Sequence, residues 1–275
     1  MLLAAGLSSI MTHSPSIVAI TGAGSGIGLL LAARFVAGGD TVIGLDVNAA
    51  ALEQAQADLG ASFHGFELDL ADPEAIHRVF EEVQNALGGI DILVNNAGIV
   101  AGKLLLDHSA EDIRRTFAIN VESHFHTVQA VLPGMIERGK GHIVTVASAG
   151  GIAATARLSA YSASKFAAVG FDEALRIEMK RLGHPIRTTL VAPFYIHTGM
   201  FDGVKTRFSF LLPILDPQKV VKRIHKAIRK GKRRLIMPWF VYAGFPLRLL
   251  PVDVYDWIAD FFGVSRSMDD FRGRT

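Results

Sequence analysis

Short apolar runs rich in Val, Ile and Leu recur along the chain at 16–20, 41–45, 62–67, 91–95, 142–147, 187–191 and 234–237. Most are hydrophobic at nearly every position rather than at alternate ones, the pattern of parallel strands covered on both faces. Between them, apolar residues repeat at helical spacing over 26–38, 48–58, 73–87, 110–132, 160–182 and 217–230. Boundary residues agree with this division. Asp72-Pro73-Glu74 offers an N-cap followed by proline at the first helical position, and Ser109 with Asp112 forms a capping-box variant. Glycines close helices at Gly38-Gly39, Gly88-Gly89, Gly139 and Gly183. Strand–helix alternation on this scale predicts an α/β protein with one doubly wound parallel sheet.

Composition narrows the functional classes. Half of the 275 residues are hydrophobic and a fifth are charged, which excludes a disordered chain and a collagen-like repeat. The 28 Lys and Arg nearly balance the 26 Asp and Glu, so a globally basic nucleic-acid binder is not expected. Without cysteine the chain has no disulfides, thiolate metal sites or cysteine nucleophile, and it suits a reducing compartment. The ten histidines form no pair with metal-ligand spacing backed by carboxylates, and His124 and His126 point different ways on a helix, so no metal is expected.

With no linker or repeat, the expected division is an N-terminal extension over 1–15 and one domain over 16–275. That domain carries a substrate loop at about 194–216 and a C-terminal tail over 239–275. The loop follows a strand and holds Phe194, Met200, Phe201, Phe208, Phe210, Leu211 and Leu212, which suits a lid over an apolar substrate. Met1–Met11 is apolar but short and lacks a basic leader, and 235–247 falls below the roughly 20 residues of a spanning helix. The expected location is cytoplasmic, at most peripheral to a membrane surface.

A glycine-rich turn supplies the first candidate chemistry. Thr21-Gly22-Ala23-Gly24-Ser25-Gly26-Ile27-Gly28 follows the first strand and opens the first helix. Glycines let backbone approach a pyrophosphate, and the helix amino end offers N–H groups and partial positive charge. Such turns also occur as plain tight packing, but here the strand precedes and the helix follows. Asp46 ends the second strand eighteen residues after Gly28, where an acid can bind the adenosine ribose hydroxyls. Its carboxylate would repel a 2′-phosphate, and neither Val47 nor Asn48 offers a cation, so NAD is favoured over NADP. Asp69-Leu70 can meet the adenine edge, and Asn96-Ala97-Gly98 gives small residues where backbone must pass the cofactor.

A second constellation lies further on. Tyr161 and Lys165 are four apart on a predicted helix and share one face, and Ser148 ends the fifth strand thirteen residues before the tyrosine. A phenol with a pKa near 10 is a poor base at neutral pH. A neighbouring ammonium favours the phenolate, and the expectation is a Tyr161 pKa lowered by Lys165 together with the positive charge of a bound nicotinamide, with Ser148 holding the substrate oxygen. Leu158, Phe194, Met200, Phe201 and Phe208 are the expected apolar substrate walls.

The ordered set T-G-A-G-S-G-I-G at 21–28, N-N-A-G at 95–98, Asn120, Ser148, Y-S-A-S-K at 161–165 and Pro193 resembles the short-chain dehydrogenase/reductase family over nearly the whole chain. The resemblance implies a single Rossmann-like domain, seven strands ordered 3-2-1-4-5-6-7, helices on both faces, and a homodimer or homotetramer. It implies Tyr161 as general acid/base, Lys165 on the nicotinamide ribose, and Ser148 orienting the substrate. It also implies Asn120 holding a water that relays protons through Lys165, and Thr198 contacting the nicotinamide carboxamide. Segments at 164–168, 193–201, 211–215 and 267–271 resemble the branch holding epidermal retinol dehydrogenase and 17β-hydroxysteroid dehydrogenase type 11. That branch implies NAD-dependent interconversion of a lipophilic alcohol, retinoid-, steroid- or long-chain-like, with its ketone or aldehyde. Its animal members carry an N-terminal membrane anchor, which is not expected in Met1–Met11. A broad-range carbonyl reductase and a non-catalytic nucleotide-binding scaffold are the alternatives at this point.

Between Lys219 and Arg234 stand nine Lys and Arg and no acid, above an apolar stripe of Val220, Val221, Ile224, Ala227 and Ile228. The expected reading is an amphipathic helix covering the sheet. A weak peripheral membrane contact through 219–245, aided by Trp239, Phe240, Tyr242 and Phe245, is the alternative. Trp257, Phe261 and Phe262 in the tail suit either a pocket wall or an oligomer contact.

Overall fold

The alternation of strands and helices is continuous in a computed structural model, which describes residues 14–208, 210 and 212–273. Met1–Met11 and Leu211 lie outside the described residues. In chain order the elements are β1 Ile17–Thr21, α1 Gly26–Ala37, β2 Thr41–Asp46, α2 Ala49–Leu59, β3 Phe63–Glu67, α3 Pro73–Leu87 and β4 Ile92–Asn95. Then come α4 Ala110–Phe117, α5 Ser123–Glu137, β5 Gly141–Val146, α6 Ser159–Arg181, β6 Ile186–Pro193, α7 Pro217–Arg229 and β7 Arg234–Met237. Two short helices follow, α8 Gly244–Leu247 and α9 Val252–Phe261. All seven strands form one sheet in the order β3-β2-β1-β4-β5-β6-β7, and every pairing is parallel. The chain therefore reverses direction across the sheet between β1 and β4, opening a crevice at the strands' carboxyl ends.

Each face of the sheet has its own core. On one side Val18, Ile20, Leu31, Phe35, Val42 and Phe63 pack with Val220, Ile224 and Ile228 of α7. On the other, Ile43, Leu45, Ile76, Phe80, Leu93, Ile143, Met135 and Met179 meet. Gly44 makes room in β2, because a Cβ there would lie 2.3 Å from the Phe63 ring. The apolar stripe of α7 is buried in the first core, so its Lys and Arg side chains lie on the remaining faces. Arg229 there pairs with the buried Asp40.

The stretch expected as one helix over 110–132 differs in two ways. It is broken by a single π-helical turn, Ala118–Glu122, which places Asn120 at its centre. It also runs on through Pro133 to Glu137. A proline inside a helix removes one hydrogen bond. Burial of Val131 and Met135 on either side of it in the core outweighs that loss.

Candidate active site

At the end of β1 the backbone turns through Gly22 and Gly26, both with positive φ (68° and 56°), a conformation that costs glycine nothing. Gly22, Ser25, Gly26 and Ile27 line a cleft of about 310 Å³. Gly24 and Gly28 do not face it; they shape it. A Cβ on Gly28 would lie 2.0 Å from the Gly22 carbonyl oxygen, and one on Gly24 would lie 3.0 Å from the Asp46 carboxylate. No acid stands in the first turn of α1, so its positive end is left for an anion. Asp46 accepts from the Gly24 amide at 2.9 Å and from the Asn48 amide at 3.0 Å, which fixes its carboxylate in the cleft wall.

The remaining walls come from neighbouring strand ends. Asn96 donates from Nδ2 to the Thr21 carbonyl (2.9 Å), and the Asn96 and Ala97 amides both donate to Thr21 Oγ1 (3.0 Å each). These bonds tie the β4 exit to the glycine turn. Asp69, Leu70, Asn96, Ala97, Gly98, Pro193 and Thr198 line the same cleft. So does Arg115 of α4, whose guanidinium stands 3.7 Å from the Asp69 carboxylate. The cleft thus offers what a dinucleotide needs: a helix amino end, a glycine turn and an anchored carboxylate.

Deeper in, Ser148, Tyr161 and Lys165 meet. Ser148 follows β5, and its Oγ accepts from the Gly150 amide at 3.0 Å, with Tyr161 beside it in the walls of the site. One helical turn separates Tyr161 from Lys165, whose Nζ stands 5.8 Å from the phenol ring centroid and donates to the Val146 carbonyl at 2.9 Å. Both side chains are buried. Burial pushes the Tyr161 phenol up to about 12 against the opposing pull of Ser148, and pushes the Lys165 ammonium down to about 8. The expected lowering of the Tyr161 pKa is therefore not found in the protein alone. Desolvation of the phenolate outweighs the lysine, whose ammonium is bonded to a backbone carbonyl rather than to the phenol. A Cβ on Gly98 would lie 3.3 Å from both Lys165 Nζ and Asn120 Oδ1, so a larger residue there would press on these groups.

Asn120 is fully buried and acts as a clamp. Its Oδ1 accepts from the Ile99 amide (2.9 Å), and its Nδ2 donates to the Ile99 carbonyl and to Ser164 Oγ (3.0 Å each). These three bonds hold the side-chain amide between the Ile99 backbone and α6.

A second, largely apolar cavity of about 250 Å³ adjoins the cleft. Ser148, Tyr161, Phe194 and Phe201 line both. The far walls come from the tail: Phe240, Val241, Leu247, the inward residues Tyr255, Ile258 and Ala259 of α9, and Phe262 just after it.

The model of the family described as short chain dehydrogenase matches residues 16–207. The chain is a short-chain dehydrogenase. Epidermal retinol dehydrogenase 2 of Homo sapiens is 40% identical over 263 residues, covering 93% of this chain and 84% of the relative. Estradiol 17-beta-dehydrogenase 11 of Mus musculus is 39% identical over 81% of this chain and 75% of its own. Among solved structures, a short-chain dehydrogenase/reductase from Burkholderia phymatum in complex with NAD superposes with a TM-score of 0.79 at 25% identity, covering 87% of this chain and 95% of that one.

In this short-chain dehydrogenase most of the residues singled out in the sequence converge on the two cavities. Leu158, Phe194, Met200 and Phe201 stand in or beside the walls shared with Tyr161. Phe208 does not. Its ring packs on Phe210, Phe261 and Phe262 with Arg207 above it, outside both linings, because that aromatic cluster offers it a closer fit. Phe262, expected as a pocket wall or an oligomer contact, lines the cavity; the sequence reading missed Arg115, Tyr195, Tyr255, Ile258 and Ala259. Nothing near Arg115 or Tyr195 in sequence marks them; only the fold brings α4 to the β3 exit and the tail to the loop after β6. For α9 the apolar spacing of Tyr255, Ile258 and Ala259 with Phe262 was the available signal.

Proposed function

We propose that this short-chain dehydrogenase is an NAD-dependent oxidoreductase that interconverts a lipophilic alcohol with its ketone or aldehyde. One observation carries the reading: Tyr161 and Ser148 line both the polar cleft and the apolar cavity, so a reacting carbinol can reach them from one side and a dinucleotide from the other. The names of the relatives, a retinol and an estradiol dehydrogenase, support the substrate class.

Bound in the cleft, NAD supplies a carbon that accepts the carbinol hydride. Gly22, Ser25, Gly26 and Ile27 would hold its phosphates, Asp46 its adenosine ribose hydroxyls, and Lys165 the nicotinamide ribose, with Pro193 and Thr198 beside the nicotinamide. Ser148 holds the substrate oxygen against Tyr161, whose phenolate takes the alcohol proton in oxidation and whose phenol returns it in reduction. A positioned proton acceptor of this kind contributes about 10²–10⁴-fold. For the phenol to act, its pKa must fall from the value burial imposes, and the positive charge of oxidised nicotinamide beside Lys165 opposes that burial. Asp46 supports NAD over NADP through charge repulsion with a 2′-phosphate.

Two features bear on the surroundings. Exposed Phe125 on α5 and Ile177 and Leu182 at α6 support self-association as a dimer or tetramer. Of the stretch 219–245, the exposed Lys219, Lys222, Arg223 and Lys226 and the exposed Trp239, Tyr242 and Phe245 support a peripheral contact with an anionic membrane, while the apolar stripe of α7 is buried. Reduced-cofactor formation with NAD and NADP across retinoids, steroids and aliphatic secondary alcohols tests the function. Turnover with NAD that rises with substrate apolarity is expected; equal efficiency on ethanol and a steroid, or a preference for NADP, would contradict it.

A further inference from the structure

The site contains two tyrosines, each beside a serine, with opposite uses. Tyr161 stands beside Ser148 where the two cavities meet. Tyr195, in the loop after β6, lines the apolar cavity, while its hydroxyl pairs with Ser267 of the C-terminal tail, 2.9 Å away and outside that cavity's lining. Proton counting fixes the direction of that bond. Ser267 Oγ has one proton and places it on the Val264 carbonyl at 2.8 Å. Tyr195 must therefore donate, and Ser267 accepts.

The tail is held closely enough to keep this pair in register. The Lys205 amide donates to the Ser267 carbonyl (3.2 Å) and the Arg272 amide to the Asp202 carbonyl (2.8 Å). Met268 is fully buried against Leu158, Tyr161 and Val204, and Phe271 lies over Gly102 so closely that a Cβ there would be 2.1 Å from its ring. Phe201 packs edge-on against both Tyr161 (5.6 Å) and Tyr195 (5.1 Å), so the two phenols flank one partition.

We propose that Ser267 is a specificity-determining residue, which makes the site selective for apolar alcohols by holding the Tyr195 hydroxyl out of the substrate cavity. With its proton engaged by the tail, Tyr195 presents an apolar ring to the substrate. If Ser267 loses its hydroxyl, the phenol O–H has no partner. In the empty cavity water can serve it, but an apolar substrate expels that water and leaves a buried donor unpaired. The penalty falls on substrate binding, not on the chemical step. A substrate carrying an oxygen acceptor on its apolar body would instead gain a partner. This inference rests on the proposed oxidation of lipophilic alcohols.

Four forms of the full-length protein test it: wild type, Ser267→Ala, Tyr195→Phe and the double variant. Each is assayed with NAD on a hydrocarbon-bodied secondary alcohol and on the same alcohol bearing a remote ether oxygen, with NAD affinity and thermal stability measured alongside. Ser267→Ala is expected to raise KM for the hydrocarbon alcohol about tenfold with kcat nearly unchanged, and to shift preference toward the ether. Tyr195→Phe should change the hydrocarbon KM by less than about threefold. The double variant should return toward the Tyr195→Phe value, since removing both partners leaves no unpaired group. Equal losses in both single variants, or additive losses in the double, would mean a merely structural strap and overturn the inference. An unchanged hydrocarbon KM in Ser267→Ala would overturn it too. Absence of turnover in wild type on any alcohol would instead refute the proposed function, and the two failures are thereby told apart.

Discussion

The polar cleft and the apolar cavity share Tyr161 and Ser148 but are built on different physical terms. In the cleft, backbone does the shaping: Gly28 sits where a single added carbon would strike the Gly22 carbonyl, and Asp46 is pinned by two amides. Its tolerance for change is small because hydrogen bonds and close backbone contacts act only at defined distances. In the cavity, side chains from scattered segments make a wall by burial alone, with Phe194 and Phe201 from one loop and Val241, Leu247 and Ile258 from the tail. Hydrophobic contact is non-directional, so such a wall changes gradually as it is altered. One region therefore fixes where the dinucleotide lies, and the other sets which substrate reaches it.

Substitutions can break this contrast. The largest effect is expected at the shared centre. Lys165→Met removes the ammonium beside Tyr161, and steady-state NADH formation should fall about 10²-fold or more, within the range of general acid–base catalysis. A fall of less than threefold would remove the lysine from the mechanism. Next, Gly28→Ala and Ile258→Val place a change of one carbon in each region. Gly28→Ala should cost about 1–3 kcal/mol in chemical denaturation through overpacking and abolish NAD uptake in calorimetry. Ile258→Val should leave NAD affinity alone and raise KM for a bulky alcohol about fourfold, the worth of one buried methylene. Equal responses would erase the distinction between the regions.

The smallest effect concerns the scaffold both regions share. Asp172 on α6 is buried, and desolvation pushes its carboxyl up to about 7, against the pull of Arg176 and Arg234. Below its unfolded pKa of 3.8 both states hold the proton; as pH rises toward 7 the unfolded chain releases it while the folded protein keeps it, so stability is lost. Asp172→Asn should therefore raise Tm by about 5 °C at pH 8 and give no gain at pH 3.5, as thermal denaturation would show. A gain independent of pH would assign the effect to something other than titration.

The cleft was legible in the sequence because each of its parts is local. A glycine turn between strand and helix, an acid at the next strand end and a Tyr-x-x-x-Lys pair are all readable from spacing, and the sheet order followed from the family resemblance. The cavity was legible only in composition. Phe194 and Phe201 were recognisable as apolar residues after a strand, yet Phe208 in the same loop turned to a different aromatic cluster, and no local pattern separates the two outcomes. Tyr195 and Ser267 are seventy-two residues apart, and their pairing exists only through the path of the tail. The local setting of Asn120 was hidden for another reason: a π-helical turn leaves no mark in residue periodicity. Burial of Tyr161 likewise depends on Met268 and Phe201, which spacing around the tyrosine does not reveal.

Paired measurements on Tyr161→Phe test the joint use of the two regions most directly: NAD binding by calorimetry, and NADH formation from a long-chain secondary alcohol. The phenol oxygen is the one atom the account requires for proton transfer, and the ring alone suffices for packing. NAD affinity within about threefold of wild type, with turnover lowered at least about 10²-fold, is the predicted result. Full turnover in the variant would contradict the account.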